Sequence, residues 1–177
     1  MKSDDVGKLY EAIREVADFP EPGVMFKDIT PLLLDSKLLE RAVDLMVGPY
    51  RGLPIDKVLG IESRGFILAA PIALALGVGL VLARKEGKLP WKRLRVEYDL
   101  EYGSDVIEIH ADGVRPGEQV LIVDDVLATG GTAAAACKAV GMAGGEVAGV
   151  TFLIEIEPLG GRKKLGNNDI QSLLTYT

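Results

Sequence analysis

The chain has 177 residues, of which 48% are hydrophobic and 26% charged, so it is long enough for one globular domain and too apolar for a disordered protein. Its 20 basic and 26 acidic residues give a net charge of −6, which argues against a broad nucleic-acid-binding surface. One cysteine and one histidine exclude an internal disulfide and a metal site built from these two residue types.

The first two elements predicted along the chain are helices. Apolar residues at helical spacing favour an amphipathic helix over about residues 4–18, and the turn at 19–23 follows it. Asp35 or Ser36 is a suitable cap for a second helix that runs to about Met46. The first residues lack the basic and then apolar pattern of a secretion signal, so we expect a cytoplasmic protein.

An uncharged run from Gly65 to Ala83 is long enough to suggest a membrane span. Pro71 and Gly77 interrupt this run, so we interpret it as an apolar helix that starts near Gly65 and a buried strand over 78–83. Lys57–Ile61 precedes the helix as another buried strand. We therefore expect a strand-helix-strand unit and no membrane segment.

The second half of the chain continues the alternation of strands and helices. The predicted elements are one or two strands over 101–110, a strand over 119–123, a helix over 132–143, and strands over 147–156 and 173–176. This order predicts an α/β fold, with a mostly parallel central sheet flanked by helices. Ligands of such folds bind beyond the carboxyl ends of the strands.

One loop carries the strongest chemical signal. Asp124 and Asp125 follow a buried strand, and Ala128–Thr132 then leads into a helix. Glycines and threonines at a helix N-terminus predict a phosphate site, because free N–H groups and hydroxyls converge there. The two carboxylates would repel a phosphate, so we expect them to face vicinal sugar hydroxyls or Mg²⁺ bound to those hydroxyls. The pattern is typical of a site for a ribose 5-phosphate, and the P-loop and dinucleotide patterns are absent.

Two basic segments lie upstream. Ser63 and Arg64 stand between a strand and a helix, where backbone N–H groups and a guanidinium suit an anion. Arg84–Arg95 contains six basic residues and one acid, with Gly87 and Pro90 inside it. We interpret it as a mobile surface loop that closes over a polyphosphate, with a solvated loop and a nucleic-acid patch as alternatives.

Four further segments accompany the acidic pair and its loop. They are FPEPGVMFKDITP at 19–31, ESRGF at 62–66, RKEGKLP at 84–90 and YDLEYG at 98–103. In this order they resemble the type I phosphoribosyltransferases over about residues 6–156, and within that family the branch that acts on adenine. The resemblance implies a single domain over 1–177, in which about residues 1–34 contribute a small hood over the base.

The resemblance also implies a role for each matching residue. Those expected to hold the 5-phosphate are Ala128, Thr129, Gly130, Gly131 and Thr132, and those expected to hold the ribose hydroxyls are Asp124 and Asp125. Those expected at the pyrophosphate are Ser63, Arg64, Arg84, Lys85 and Lys88, with a cis peptide in the Ser63 loop. Those expected at the adenine are Met25, Phe26 and Lys27, and Glu101 matches the catalytic glutamate.

The implied reaction joins adenine to 5-phosphoribosyl-1-pyrophosphate and releases AMP and pyrophosphate. The resemblance further implies Mg²⁺ held mainly through the substrate, a homodimer, and no membrane or nucleic-acid partner. Two alternatives stay open at this point. One is a phosphoribosyltransferase for another base such as hypoxanthine or xanthine, and the other is a non-catalytic regulator that senses phosphoribosyl pyrophosphate and binds DNA or RNA.

Overall fold

A computed structural model describes residues 2–99 and 103–177, which divide into two compact units, Met1–Leu45 and Met46–Thr177. The smaller unit contains helix α1 (Lys2–Glu11), strands β1 (Arg14–Ala17) and β2 (Met25–Asp28), helix α2 (Thr30–Leu34) and most of helix α3 (Ser36–Val47). The Asp35 carboxylate accepts the backbone N–H groups of Lys37 at 2.9 Å and Leu38 at 3.2 Å, which confirms the predicted cap. The single domain and its hood over about 1–34 stay predictions.

The first helix is shorter than predicted. It ends at Glu11, and the second part of the expected helix forms β1, which pairs antiparallel with β2. In this pairing Val16 lies opposite Phe26. Over so short a segment the same apolar residues fit a helical face or a strand, and pairing with β2, which was not predicted, decides between them.

The larger unit is built on a sheet that has seven strands within the described residues. They are β3 (Lys57–Ile61), β4 (Gly79–Lys85), β5 (Arg93–Asp99), β6 (Ser104–His110), β7 (Gln119–Leu127), β8 (Glu146–Ile156) and β9 (Ile170–Tyr176). Their order is β5-β6-β4-β3-β7-β8-β9. The five strands from β4 to β9 in this order run parallel, and β6 and β5 continue the sheet antiparallel. The predicted α/β fold with a mostly parallel sheet is confirmed.

Two helices of the larger unit lie against this sheet. They are α4 (Gly65–Leu76), which contacts β3 and β7, and α5 (Gly131–Met142), which contacts β5. The side chains between the layers are apolar and fully buried, with Leu59, Ile122 and Phe152 among them. No helix in the described part of the chain is long and apolar enough to cross a membrane.

The basic segment at 84–95 is not one loop. Arg84 and Lys85 end β4 and Arg93 begins β5, so only residues 86–92 form a turn. The buried carboxylate of Glu108 holds this turn, because it accepts the backbone N–H of Gly87 at 3.0 Å and Nε of Arg93 at 2.7 Å. The predicted loop is therefore wrong at both ends. Its high charge concealed the two-residue alternation that makes β5 a strand.

Candidate active site

The predicted phosphate loop lies where β7 ends and α5 begins. Gly130 has φ 78°, a left-handed conformation that glycine adopts without a steric penalty, and α5 starts at the next residue. A small open cavity at this point is lined by Asp124, Val126, Leu127, Ala128, Thr129, Gly130, Gly131, Thr132 and Ala133. The structure thus brings the residues predicted to hold the 5-phosphate into one cavity at a helix N-terminus, where backbone N–H groups favour an anion.

A backbone contact supports this loop from behind. A Cβ on Gly161 would lie 2.8 Å from Cδ1 of Leu127 and closer still to the carbonyl oxygen of Ala128. A Cβ on Gly130 would in turn clash with the carbonyl of Gly161. The two glycines therefore allow the backbones to touch. Gly161 is a site residue that the sequence reasoning missed, because nothing in the chain near it marks a ligand.

The acidic pair lies inside β7 rather than after it. Pairing with β8 continues past Val123, with Asp124 opposite Phe152, so the predicted end of the strand at Val123 is wrong. Oδ1 of Asp124 accepts the backbone N–H of Asp125 at 2.8 Å. A Cβ on Gly65 would lie 2.7 Å from this same oxygen, so the start of α4 approaches the acid closely.

Arg64 neutralises part of the charge of the pair. Its Nε lies 2.7 Å from Oδ2 of Asp125, and the side chain of Asp125 is only 7% exposed. Burial nevertheless raises the pKa of Asp125 above its ordinary value. Burial and the charge of Asp125 together raise the pKa of Asp124 well above 3.8. Two acids with raised pKa values beside the predicted phosphate loop indicate a functional site, because such an arrangement destabilises the fold.

Two of the basic side chains predicted at the pyrophosphate, Arg84 and Lys88, contact Glu62. This carboxylate accepts Nε of Arg84 at 3.1 Å and the backbone N–H of Lys85 at 3.0 Å, and it also binds the ammonium of Lys88. These hydrogen bonds outweigh burial and hold the pKa of Glu62 below its ordinary value of 4.5. The peptide between Glu62 and Ser63 is cis, as the resemblance implied.

Glu62 is a member of this site to which the sequence reasoning gave no role. The sequence contained a signal for this contact. Ile61 of β3 pairs with Ala83 of β4 in parallel, so the next residues along the two strands, Glu62 and Arg84, are neighbours. Lys85 contacts Glu62 only through its backbone. Its side-chain ammonium binds Asp105 and the hydroxyl of Tyr98 instead.

The residues predicted at the adenine lie in β2 of the smaller unit. Met25 is 46% exposed, and the ring of Phe26 packs edge-to-face on Phe19 with 5.1 Å between centroids. The ammonium of Lys27 forms an ion pair with Glu15, its neighbour across β1 and β2. Glu101, the predicted catalytic residue, lies outside the described residues, between β5 and β6.

Residues 37–170 match the phosphoribosyl transferase domain. The chain is 53% identical to the adenine phosphoribosyltransferase of Anaeromyxobacter dehalogenans, over 93% of this chain and 95% of that protein. It belongs to the adenine phosphoribosyltransferase family. Another family member, from Acidothermus cellulolyticus, is 51% identical over 98% of this chain and 99% of that protein.

Solved structures of adenine phosphoribosyltransferases share the fold. The enzyme of Rhodothermus marinus superposes with a TM-score of 0.95 at 50% identity, covering 98% of this chain and 99% of that one. The enzyme of Saccharomyces cerevisiae, solved with an iminoaltritol bisphosphate and adenine, superposes with a TM-score of 0.92 at 37% identity, covering 97% of this chain and 99% of that one. The family and fold that the motifs predicted are thus confirmed, and the role of each site residue stays a prediction.

Proposed function

We propose that the protein transfers the 5-phosphoribosyl group of 5-phosphoribosyl-1-pyrophosphate to adenine, forming AMP and pyrophosphate in purine salvage. The observation that carries this proposal is the cavity in which Asp124 lies beside the loop Ala128–Thr132, in a chain of this family. A ring nitrogen of adenine forms the new bond to the anomeric carbon. The bond from that carbon to the pyrophosphate oxygen breaks, and the pyrophosphate leaves with the electron pair.

The sugar phosphate takes the cavity at the end of β7. Backbone N–H groups of 128–132 and the hydroxyls of Thr129 and Thr132 donate to the 5-phosphate. The ribose hydroxyls donate to Asp124 and Asp125, so the acids become acceptors for neutral donors rather than neighbours of a bare anion. This arrangement fixes the anomeric carbon relative to the attacking base.

The pyrophosphate takes the basic side of the site. We assign to it Ser63, Arg64, Arg84, Lys85 and Lys88. In the structure Glu62 already holds Arg84 and Lys88 together, so their charges are assembled before the substrate binds. Positive groups fixed in advance stabilise the negative charge that grows on the leaving pyrophosphate.

Met25, Phe26 and Lys27 are assigned to the base, and Glu101 to catalysis. A glutamate at the purine would handle a ring proton as the new bond forms. The mixed apolar and polar character of β2 supports the assignment of the base, since a planar purine needs both an apolar surface and hydrogen-bond partners.

Mg²⁺ is the implied cofactor, and the donor groups at this cavity suit it. Mg²⁺ usually keeps several waters and binds one or two carboxylates together with substrate phosphate oxygens. Asp124 lines this cavity and Asp125 is the next residue of β7, so one or both could supply such a carboxylate. When bound, the ion would neutralise charge on the leaving pyrophosphate.

The function is tested by supplying phosphoribosyl pyrophosphate and Mg²⁺ with adenine, hypoxanthine, guanine, xanthine, orotate or uracil, and identifying the nucleotide by mass spectrometry. We expect AMP from adenine and no nucleotide from the other bases. A different nucleotide would keep the phosphoribosyl transfer and reject the adenine assignment. No product with any base would reject the transfer and favour the regulator that senses phosphoribosyl pyrophosphate.

We further propose that the enzyme is a cytoplasmic homodimer. The support for self-association is a set of exposed apolar side chains in α4 and β4, namely Ile67, Leu74, Leu80 and Leu82. Leu74 is 83% exposed, and several apolar side chains exposed on neighbouring elements are typical of a surface that contacts another protein. Sedimentation equilibrium should give twice the chain mass, and a single-chain mass at micromolar concentration would reject the dimer.

A further inference from the structure

Four polar side chains connect the strands beside Glu101 to the phosphate loop. The Lys85 ammonium of β4 donates to the hydroxyl of Tyr98 of β5 at 2.8 Å and to the carboxylate of Asp105 of β6. The Tyr98 hydroxyl lies 3.1 Å from Oδ2 of Asp105 and 3.0 Å from Oγ1 of Thr132. The chain of contacts therefore runs from a paired cation to a residue of the phosphate cavity.

The number of hydroxyl protons in this hydrogen-bond network fixes which group donates in each contact. A tyrosine hydroxyl donates one hydrogen bond and accepts two. When Tyr98 donates to Asp105, it accepts from Lys85, and Thr132 must donate to complete the third contact. The only hydroxyl proton of Thr132 is then directed away from the cavity.

A phosphate in the cavity reverses the bond between Tyr98 and Thr132 and breaks the bond from Tyr98 to Asp105. Thr132 would donate its proton to the phosphate oxygen, and Tyr98 would donate to Thr132 in its place. Asp105 would keep the Lys85 ammonium, and its Oδ1 would keep the backbone N–H of Val106 at 2.7 Å. The donors would then all point from the cation toward the phosphate, and aligned hydrogen bonds of this kind strengthen one another.

We infer that Asp105 is a positioning residue for the transfer reaction. It holds the Lys85 ammonium in place, and Lys85 in turn holds the hydroxyl of Tyr98. Through Tyr98 and Thr132, β5 and β6 are joined to the phosphate loop. These two strands flank the connection that contains Glu101, with Asp99 paired to Ser104. Occupancy of the 5-phosphate site therefore stabilises the ends of the segment that acts on the base. This inference rests on the proposed function for the 5-phosphate cavity.

The first test measures amide hydrogen exchange with and without ribose 5-phosphate. In the wild type we expect the sugar phosphate to slow exchange of amides in 93–98 and 104–110. In Asp105→Asn the same ligand should leave those amides unchanged while still protecting 128–132. Tyr98→Phe removes the hydroxyl in the middle of this hydrogen-bond network and should behave as Asp105→Asn does. The second variant keeps the test valid if the first folds poorly.

The second test is steady-state kinetics at saturating adenine. Asp105→Asn should lower kcat about tenfold, the scale of one charge-assisted hydrogen bond, and change the dissociation constant of ribose 5-phosphate less than threefold. Asp105→Glu, which restores the charge, should recover part of kcat. The matched control is Glu97→Gln, which removes an exposed carboxylate from β5. This carboxylate accepts a hydrogen bond from Ser104 at 3.0 Å, and we expect the variant to keep the wild-type kcat.

The outcomes separate this inference from the proposed function. A wild type that makes no nucleotide would reject the transfer activity, and the exchange experiment would still test the coupling. A wild type that makes AMP, with Asp105→Asn equal to it in kcat and in ligand-dependent exchange, would overturn the positioning role alone. An equal loss of kcat in Glu97→Gln would also overturn it, because any lost charge in these strands would then have the same effect.

Discussion

Replacing Gly161 by alanine should weaken the binding of sugar phosphates, although Gly161 has no side chain and no sequence motif marks it. The added Cβ would lie 2.8 Å from Cδ1 of Leu127 and 3.1 Å from the backbone nitrogen of Gly130, with the carbonyl of Ala128 nearer still. Two of these atoms belong to backbone and cannot rotate away, so the phosphate loop must move. Overpacking of this kind destabilises a fold by about 1–3 kcal/mol.

Urea unfolding and titration calorimetry with ribose 5-phosphate measure the two effects. We expect the free energy of unfolding to fall within that range and the affinity to fall about tenfold, equivalent to about 1.4 kcal/mol of lost hydrogen bonding at the displaced loop. Gly160→Ala is the matched control. It has φ 64° and its added Cβ would come no nearer than 3.8 Å to Lys163, so it should reduce stability by about 1 kcal/mol and leave the affinity unchanged. Wild-type affinity in Gly161→Ala would refute the claim that this contact shapes the loop.

Three further perturbations have defined outcomes. Asp124→Asn should weaken phosphoribosyl pyrophosphate about tenfold or more in titration calorimetry. The same change should raise the melting temperature of the free protein at pH 7. The reason is that the pKa of Asp124 is raised in the folded protein, so the wild type loses stability as the pH rises above about 4, and the variant loses less. Equal melting temperatures of wild type and variant from pH 4 to pH 7 would contradict this prediction. Glu101→Gln should lower kcat far more than the affinity for phosphoribosyl pyrophosphate, because its expected partner is the base; an unchanged kcat, with the chemical step limiting, would reject this role. Arg162→Met should lower the free energy of unfolding by roughly 1–2 kcal/mol at pH 7, because Arg162 donates two 2.7 Å bonds to Glu155. Arg162 lowers the pKa of Glu155, so the difference from the wild type should shrink as the pH falls through that pKa, and a pH-independent difference would count against the ion pair.

The sequence was sufficient for those elements whose local pattern has a single meaning. Lys57–Ile61 is a short apolar run between polar residues, and it is β3 with the predicted bounds. The uncharged run after it contains Pro71, yet the helix continues to Leu76 and ends at Gly77 in the left-handed conformation, as the glycine indicated. The phosphate loop was predictable because a helix start with glycines and threonines imposes its own geometry.

The elements that were mispredicted depend on partners distant in sequence. Arg14–Ala17 is a strand only because β2 pairs with it, and Arg93–Asp99 is a strand only because β6 pairs with it. Asp105 and Gly161 were not predicted from the sequence for a related reason. Their significance lies in what they contact across the fold, Lys85 in one case and the phosphate loop in the other, and neither contact leaves a local signature.

The charges of the site are balanced before any substrate is present. Arg64 pairs with Asp125, and Glu62 pairs with Arg84 and Lys88, so the cations that we assign to the pyrophosphate are held at fixed positions by carboxylates. Pyrophosphate carries more charge than one carboxylate and forms more hydrogen bonds, so it can draw the cations from Glu62 without their having to be assembled anew. A carboxylate that holds cations in this way reduces the net gain from binding, but it also reduces the reorganisation that must accompany transfer. We therefore expect the basic cluster to contribute more to kcat than to the affinity for the substrate.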